Sequence, residues 1–246
     1  MRASICGTLA SFLSATIIGM IMGEKIEIIK SITLCIMKKI TLLLITLLVL
    51  PFASNATEPL PDSIHDYLIT IETEYGDIKM ILFDDAPEHK NNFIKLAKAG
   101  VYDNIIFHRV IDNFMIQTGD QTTSNKERDY DENIIPETIP AEINEDYKHI
   151  YGAVGAAREG DNANPERRSS GTQFYIVENH NGAPHLNGEY TVFGQVMSGL
   201  SVVDSVAAKP TNDKDKPEQD IRMNVQVEEV KRSNIEKFYN FNYGDY

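Results

Sequence analysis

The stretch Phe107-His108-Arg109-Val110-Ile111-Asp112-Asn113-Phe114-Met115-Ile116-Gln117-Thr118-Gly119-Asp120 decides how the rest of the chain is read. It sets one arginine and one glutamine among apolar side chains on what reads as a single extended segment. Strand side chains alternate between two faces, so counting by twos from Arg109 passes through Ile111, Asn113, Met115 and Gln117. Arg109, Met115 and Gln117 are thereby predicted to share one face. A guanidinium beside an apolar hollow is costly unless it meets a partner or a ligand acceptor. Two readings stay open at this point: a binding surface built around Arg109, or an amphipathic strand with a solvated arginine.

Upstream of that stretch, Tyr67–Thr73 alternates in the strand manner, Tyr75-Gly76-Asp77 is a turn signal and Ile78–Phe83 is a second strand, which together predict a hairpin. Pro87 then opens a helix, with Asp84 or Asp85 available as its cap. Phe93, Ile94, Leu96 and Ala97 recur at helical spacing, and Gly100 ends the element. Downstream, Gln121–Asp131 is a polar loop rich in charge. Ile150–Ala157 and Thr172–Val177 read as buried strands. Arg158–Gly171 between them is a polar, turn-forming loop of the kind that carries function. Thr191–Val196 is a further strand, Leu200–Ala207 a short helix with an apolar face, and Asn224–Val230 a last strand. The tail Phe238–Tyr246 is expected to be loosely ordered. Many strands with two short helices predict a mainly β protein, a closed barrel capped at its ends.

The chain has 246 residues and a net charge of −13. No basic face dominates so acidic a surface, which excludes a general binder of phosphate backbones and leaves no nucleic-acid partner. Met37-Lys38-Lys39, the apolar run Ile40–Leu50, Pro51 and the small-residue site Ser54-Asn55-Ala56 have the pattern of an export signal. Cleavage after Ala56 leaves 18 basic and 34 acidic residues, a net charge of −16. It also removes both cysteines, Cys6 and Cys35, and with them any disulfide, thiolate nucleophile or cysteine zinc site.

The expected organisation is an overlong start or non-native extension over residues 1–36 and a signal peptide over 37–56. A short linker over 57–66, one domain over 67–231 and a tail over 232–246 follow. The protein is expected to be exported, to a periplasmic or extracytoplasmic space. The apolar stretch Ala3–Met22 supports the competing idea of a membrane tether, so membrane contact is expected only if the N-terminal segment is retained.

Three separated segments carry a resemblance. Phe107–Asp120 resembles the arginine-containing signature of the cyclophilins, the barrel-type peptidyl-prolyl cis-trans isomerases. Gly171-Thr172-Gln173-Phe174-Tyr175-Ile176 resembles that family's glutamine-aromatic strand. His185-Leu186-Asn187-Gly188-Glu189-Tyr190-Thr191-Val192-Phe193-Gly194 resembles its stretch ending in valine-phenylalanine-glycine. Their order and spacing agree, from about Tyr67 to Val230.

The resemblance implies a closed antiparallel eight-stranded cyclophilin-like β-barrel capped by two short α-helices. It implies Arg109 as the catalytic arginine, Gln117 as the glutamine that holds it and Gln173 as a contact to the substrate backbone. Phe114, Met115, Tyr175 and Leu186 would line the proline pocket, with the strand edge at Ala157 and Arg158 on the flanking peptide. His108 matches a largely structural histidine of the family, counted here with the substrate-binding set. His185 stands where the best-known members carry tryptophan, and Tyr190 where many carry histidine. Tyr175 replaces the commoner phenylalanine and brings a hydroxyl that needs a partner. The missing tryptophan argues against tight binding of cyclosporin, the family's typical inhibitor.

The implied reaction is rotation about X–Pro bonds in flexible or unfolded polypeptides, with no cofactor and no metal, by a monomer. The rival reading is a non-catalytic module or chaperone that holds proline-containing segments. A hydrolase finds no Gly-x-Ser-x-Gly elbow or fixed triad order. The acidic residues Glu127, Asp129, Asp131 and Glu132 lack the glycine and ligand rhythm of a calcium loop.

Overall fold

The computed structural model describes residues 64–245. The chain divides into Met1–Glu58 and Pro59–Tyr246, and every described residue falls in the second unit. The expected start extension, export signal and most of the linker lie outside the described residues. No helix among the described residues is long and apolar enough to cross a membrane.

Strands β1 (His65–Thr73) and β2 (Gly76–Leu82) form the expected hairpin, paired from Ile69↔Met80 to Thr73↔Gly76. Gly76 takes a positive φ of 123°, and the Thr73 hydroxyl donates to its carbonyl oxygen at 2.8 Å. Ile69 and Ile71 face the core and are fully buried. Helix α1 (Pro87–Lys98) starts at proline as expected. Its first turn is capped neither by Asp84 nor by Asp85. The free N–H groups of Glu88 and His89 donate instead to the Glu142 carboxylate, each at 3.0 Å. An anion is favoured there by the helix dipole. Gly100, at φ 77°, closes the helix: its N–H reaches Ala97 O and that of Val101 reaches Leu96 O, both at 3.0 Å. This pair of bonds satisfies the last carbonyls of the helix.

The quoted stretch is not one extended segment. It divides into β3 (Ile105–Ile106), β4 (Arg109–Ile111) and β5 (Met115–Thr118). The chain reverses at Asp112-Asn113, with Asn113 at φ 58°, a conformation that asparagine tolerates better than most residues. The break before β4 comes from a change of partner: Phe107 N–H donates to Ile221 O at 3.0 Å, and His108 N–H to Gln117 O at 3.1 Å.

The remaining strands are β6 (Thr138–Ile139), β7 (Ala153–Ala156), β8 (Ser169–Ser170), β9 (Phe174–Val177), β10 (Val192–Ser198) and β11 (Arg222–Lys231). β7 begins three residues later than expected, because Ile150 is exposed and Gly152 turns the chain at φ 80°. The main sheet runs β3-β11-β1-β2-β10-β7-β9-β5-β4 and β6 pairs with β8, all antiparallel. It has nine strands where eight were expected, and its two ends, β3 and β4, are separated in the chain only by Phe107 and His108. This is a mainly β fold with a curled antiparallel sheet. One face packs with α1 and α2 (Leu200–Ala207) into a core that includes Ile69, Ile71, Phe93, Leu96, Ile116 and Ile176. The opposite alternation feeds a second apolar cluster holding Met115, Tyr175, Val177 and Val192.

The tail departs from expectation. A third helix, α3 (Arg232–Tyr239), buries Ile235, and Phe241 is buried beyond it. Charge holds it down. Arg232 pairs with Asp84 and lies 3.6 Å from Asp66, and the Tyr243 hydroxyl donates to Asp66 at 3.1 Å. Asp66 is buried and also takes Lys90 Nζ at 2.7 Å. Removing one partner from such a buried pair costs more than any exposed pair contributes.

Candidate active site

Antiparallel pairing places directly opposed residues on the same face. The register pairs Arg109 with Gln117, Gln117 with Tyr175, Tyr175 with Gly155 and Gly155 with Val192. These five positions make one row across five strands. The adjacent row is Ile111, Met115 and Val177. Arg109, Met115 and Gln117 therefore do share a face, though across a hairpin rather than along one strand.

The floor of this surface is apolar. Met115 and Tyr175 are buried, while Phe114, Leu186, Tyr190 and Ala157 pack on the same cluster with part of their surface exposed. Gly155 makes room for the Tyr175 ring, since a Cβ there would stand 2.3 Å from its Cζ. Tyr190 meets Tyr175 edge-on at 6.1 Å, and the exposed His185 lies 5.4 Å from the Phe114 ring.

The Arg109 side chain is 43% exposed, and its Nε lies 3.5 Å from Asp215 Oδ2, itself 46% exposed. Asp215 is brought there by the main chain: its carbonyl accepts from Val110 N–H at 2.7 Å, and its φ is 60°. The expected clasp of Arg109 by the Gln117 side chain is not the one formed. Gln117 Nε2 donates to Gln173 Oε1 at 3.1 Å, because β5 sets Gln117 between β4 and β9 and Gln173 immediately precedes β9. Burial holds His108 below the usual histidine range, opposed by Asp120 and by hydrogen bonding with Gln173. Gln117 and Gln173 thus form one polar pair beside Arg109, while His108 Nδ1 is buried without a hydrogen-bond partner.

The expected substrate edge at Ala157 and Arg158 is narrower than the sequence suggests. Ala157 N–H donates to Gln173 O at 3.0 Å and its carbonyl accepts from Ser170 N–H at 2.8 Å, so both groups are engaged within the fold. Arg158 is a fixed wall. Its guanidinium lies 4.4 Å over the Tyr190 ring and donates to Glu189 O at 3.1 Å and to Asp161 Oδ1 at 2.6 Å.

The Tyr175 hydroxyl has the partner it needs. It meets His149 Nε2 at 2.8 Å, and His149 is 2% exposed. The His149 backbone N–H donates to Asn187 Oδ1 at 2.8 Å, which fixes that atom as the acceptor. His149 Nδ1, 3.0 Å from the same oxygen, must then carry the ring proton, and Nε2 accepts from the tyrosine. Burial lowers the His149 pKa and raises that of Tyr175, so both stay neutral near pH 7. Neither His149 nor Asp215 was singled out from the sequence. The unmatched tyrosine hydroxyl was the one signal pointing to a buried partner.

The sequence itself matches a known family. Residues 68–227 fit the model of the cyclophilin type peptidyl-prolyl cis-trans isomerases. The chain belongs to that family. A Dictyostelium discoideum peptidyl-prolyl cis-trans isomerase is 39% identical over 157 residues, covering 63% of this chain and 93% of that protein. An Arabidopsis thaliana relative is 38% identical over 158 residues, covering 63% and 92%. In longer relatives the match is a part: it spans 27% of a Rhizopus delemar isomerase-like protein and 37% of a Streptococcus pyogenes protein named as a putative bifunctional phosphatase and isomerase. The solved Cryptosporidium parvum cyclophilin type isomerase is 30% identical with a TM-score of 0.58, over 67% of this chain and 98% of that one. A second structure of it, in the presence of the dipeptide Ala-Pro, has a TM-score of 0.56 over 65% and 98%.

Proposed function

We propose that this cyclophilin-family domain accelerates rotation about X–Pro bonds in flexible or unfolded polypeptides, with Arg109 donating to the prolyl nitrogen as the amide twists. The observation that carries this reading is the row joining Arg109, Gln117 and Tyr175, set against the apolar row of Ile111, Met115 and Val177. Because Asp215 is half-exposed, the guanidinium is not sealed into a buried pair and stays available to a ligand. The Ala-Pro dipeptide named with the Cryptosporidium parvum relative supports the same class of substrate.

Rotation is slow because amide resonance is lost on the way, a barrier of roughly 18–20 kcal/mol. No bond is made or broken, so the requirement is a site that binds the twisted amide better than either planar form. At the twisted geometry the proline nitrogen regains a lone pair, which accepts from Arg109. A donor engaged only there contributes about 3–4 kcal/mol, by analogy with one oxyanion-hole donor, or roughly a hundred- to thousandfold in rate.

Phe114, Met115, Tyr175 and Leu186 hold the proline ring, flanked by His185 and Tyr190. Gln173 and the main chain at Arg158 fix the neighbouring peptide. Gln117 holds Gln173 rather than Arg109. A coupled assay on a short X–Pro peptide tests the reading by comparing the native chain with Arg109→Ala, with circular dichroism as the folding control.

One observation favours a holder without catalysis: Gln117 turns to Gln173 and leaves Arg109 steadied by an exposed aspartate. Exchange spectroscopy on a proline peptide separates the two, since a holder shifts signals without speeding exchange.

Three finer readings belong with this proposal. The sheet closes as an eight-stranded barrel if 105–111 is counted as one strand bent at Phe107-His108, which the hydrogen bonds of those two residues to opposite neighbours support. The clients are exported polypeptides, supported by the pattern over 37–56 and tested by N-terminal sequencing of the secreted protein. The domain acts as a monomer, tested by light scattering.

A further inference from the structure

Glu178 follows β9 directly and is 6% exposed, although it carries a carboxylate. Its backbone N–H donates to Phe114 O at 2.9 Å, which fixes the start of the loop. Its Oε2 is buried and has no hydrogen-bond partner. A buried carboxylate oxygen left so is costly unless a cation or donor meets it.

Two further donors stand beside it. His180 Nε2 lies 3.4 Å from Asp204 Oδ1, and one ligand atom from each of Glu178, His180 and Asp204 lies within 4.8 Å of the others. Ligands at about 2.0–2.1 Å from a tetrahedral zinc ion are separated by about 3.4 Å, so the His180–Asp204 edge already has that span. The surroundings orient both groups. The Tyr151 hydroxyl donates to Asp204 Oδ1 at 2.7 Å, and its ring stacks on that of His180 at 4.2 Å. Hydrogen bonds of this kind to a ligating carboxylate set its direction.

We propose that Glu178, His180 and Asp204 bind one divalent transition-metal cation of the zinc class, with water completing the shell. One neutral imidazole and two carboxylates supply nitrogen and oxygen donors whose two negative charges offset those of such an ion. The site joins the end of β9, the following loop and α2. Through Glu178 and Asn179, whose N–H groups both donate to Phe114 O, it also grips the turn that carries Phe114. Its role is therefore structural, and it stands independently of the isomerase reading.

The test titrates the full chain with Zn²⁺ by calorimetry at pH 7, with Cys6 and Cys35 capped by iodoacetamide to remove competing thiolates. The expected result is one saturable equivalent and a raised melting temperature. Glu178→Gln and His180→Ala should each weaken binding about tenfold or more, while His65→Ala, at an exposed histidine elsewhere, leaves it unchanged. Because His180 is exposed, its variant keeps the fold even if Glu178→Gln does not. No saturable binding by the native chain, or native affinity retained in His180→Ala, overturns the proposal.

Discussion

Tyr175 and His149 are bound to each other at 2.8 Å, hydroxyl to Nε2, with their rings nearly parallel at 13°. The floor of the apolar hollow is thereby tied to the loop that leads into β7, and the tie runs on through Asn187 to the segment that carries Leu186 and Tyr190. Removing the hydroxyl with Tyr175→Phe leaves a buried ring nitrogen without its donor. The expected cost is about 1–3 kcal/mol of stability by urea unfolding, with kcat/KM nearly unchanged because no polar step of the reaction uses this hydroxyl.

Gly155 is the other half of that floor. A methyl group there would stand 2.3 Å from the Tyr175 Cζ, far inside van der Waals contact, so Gly155→Ala must displace the ring. Stability should fall by about 1–3 kcal/mol, as in overpacked cores, and KM for an X–Pro peptide should rise. An unaltered melting curve and KM would show that the ring is free to move.

Three histidines give the protein a pH dependence of fixed sign. Burial pushes His89, His108 and His149 below their ordinary value of 6.5. The unfolded chain then binds protons at a higher pH than the folded one, so this stability is complete above about 6.5 and is lost as pH falls through the folded values. Glu178 has the opposite sign: burial, with Asp112 and Asp204 nearby, raises its pKa above 4.5. Its contribution grows more favourable as pH falls through its folded value towards 4.5. Urea midpoints measured downward from pH 7.5 should decline, and His149→Gln should flatten the curve.

Asp215 steadies Arg109 from the solvent side. The pair is exposed, so Asp215→Asn should change stability by no more than about 0.5 kcal/mol. Losing an orienting contact of about 0.5–1 kcal/mol should lower kcat/KM roughly two- to fivefold. A rise in kcat/KM would mean that the aspartate competes with substrate for the guanidinium.

The shared face of Arg109, Met115 and Gln117 was legible because parity survives a hairpin: 109 opposes 117 and 111 opposes 115, so alternation names the same face either way. The reversal was harder to read, since Asp112-Asn113 is its only mark within an otherwise strand-like run. Asp215, His149 and Glu142 were not legible at all. Each reaches its partner from a polar loop distant in sequence, where no period constrains it. Helix α3 was missed because Ile235 is its one buried residue, too few to set a helical rhythm, and its anchor is the charge cluster at Asp66 and Asp84. The Gly100 stop and the Pro87 start of α1 were legible, because those residues act on the backbone locally.

The central claim rests on one guanidinium, and Arg109→Ala tests it most directly in an exchange assay on a short X–Pro peptide. The expected result is a loss of roughly a hundredfold or more in kcat/KM, the weight of one transition-state donor, with circular dichroism and melting temperature close to those of the native chain. Turnover within a few fold of native in that folded variant would contradict the claim and leave the domain a holder of proline segments.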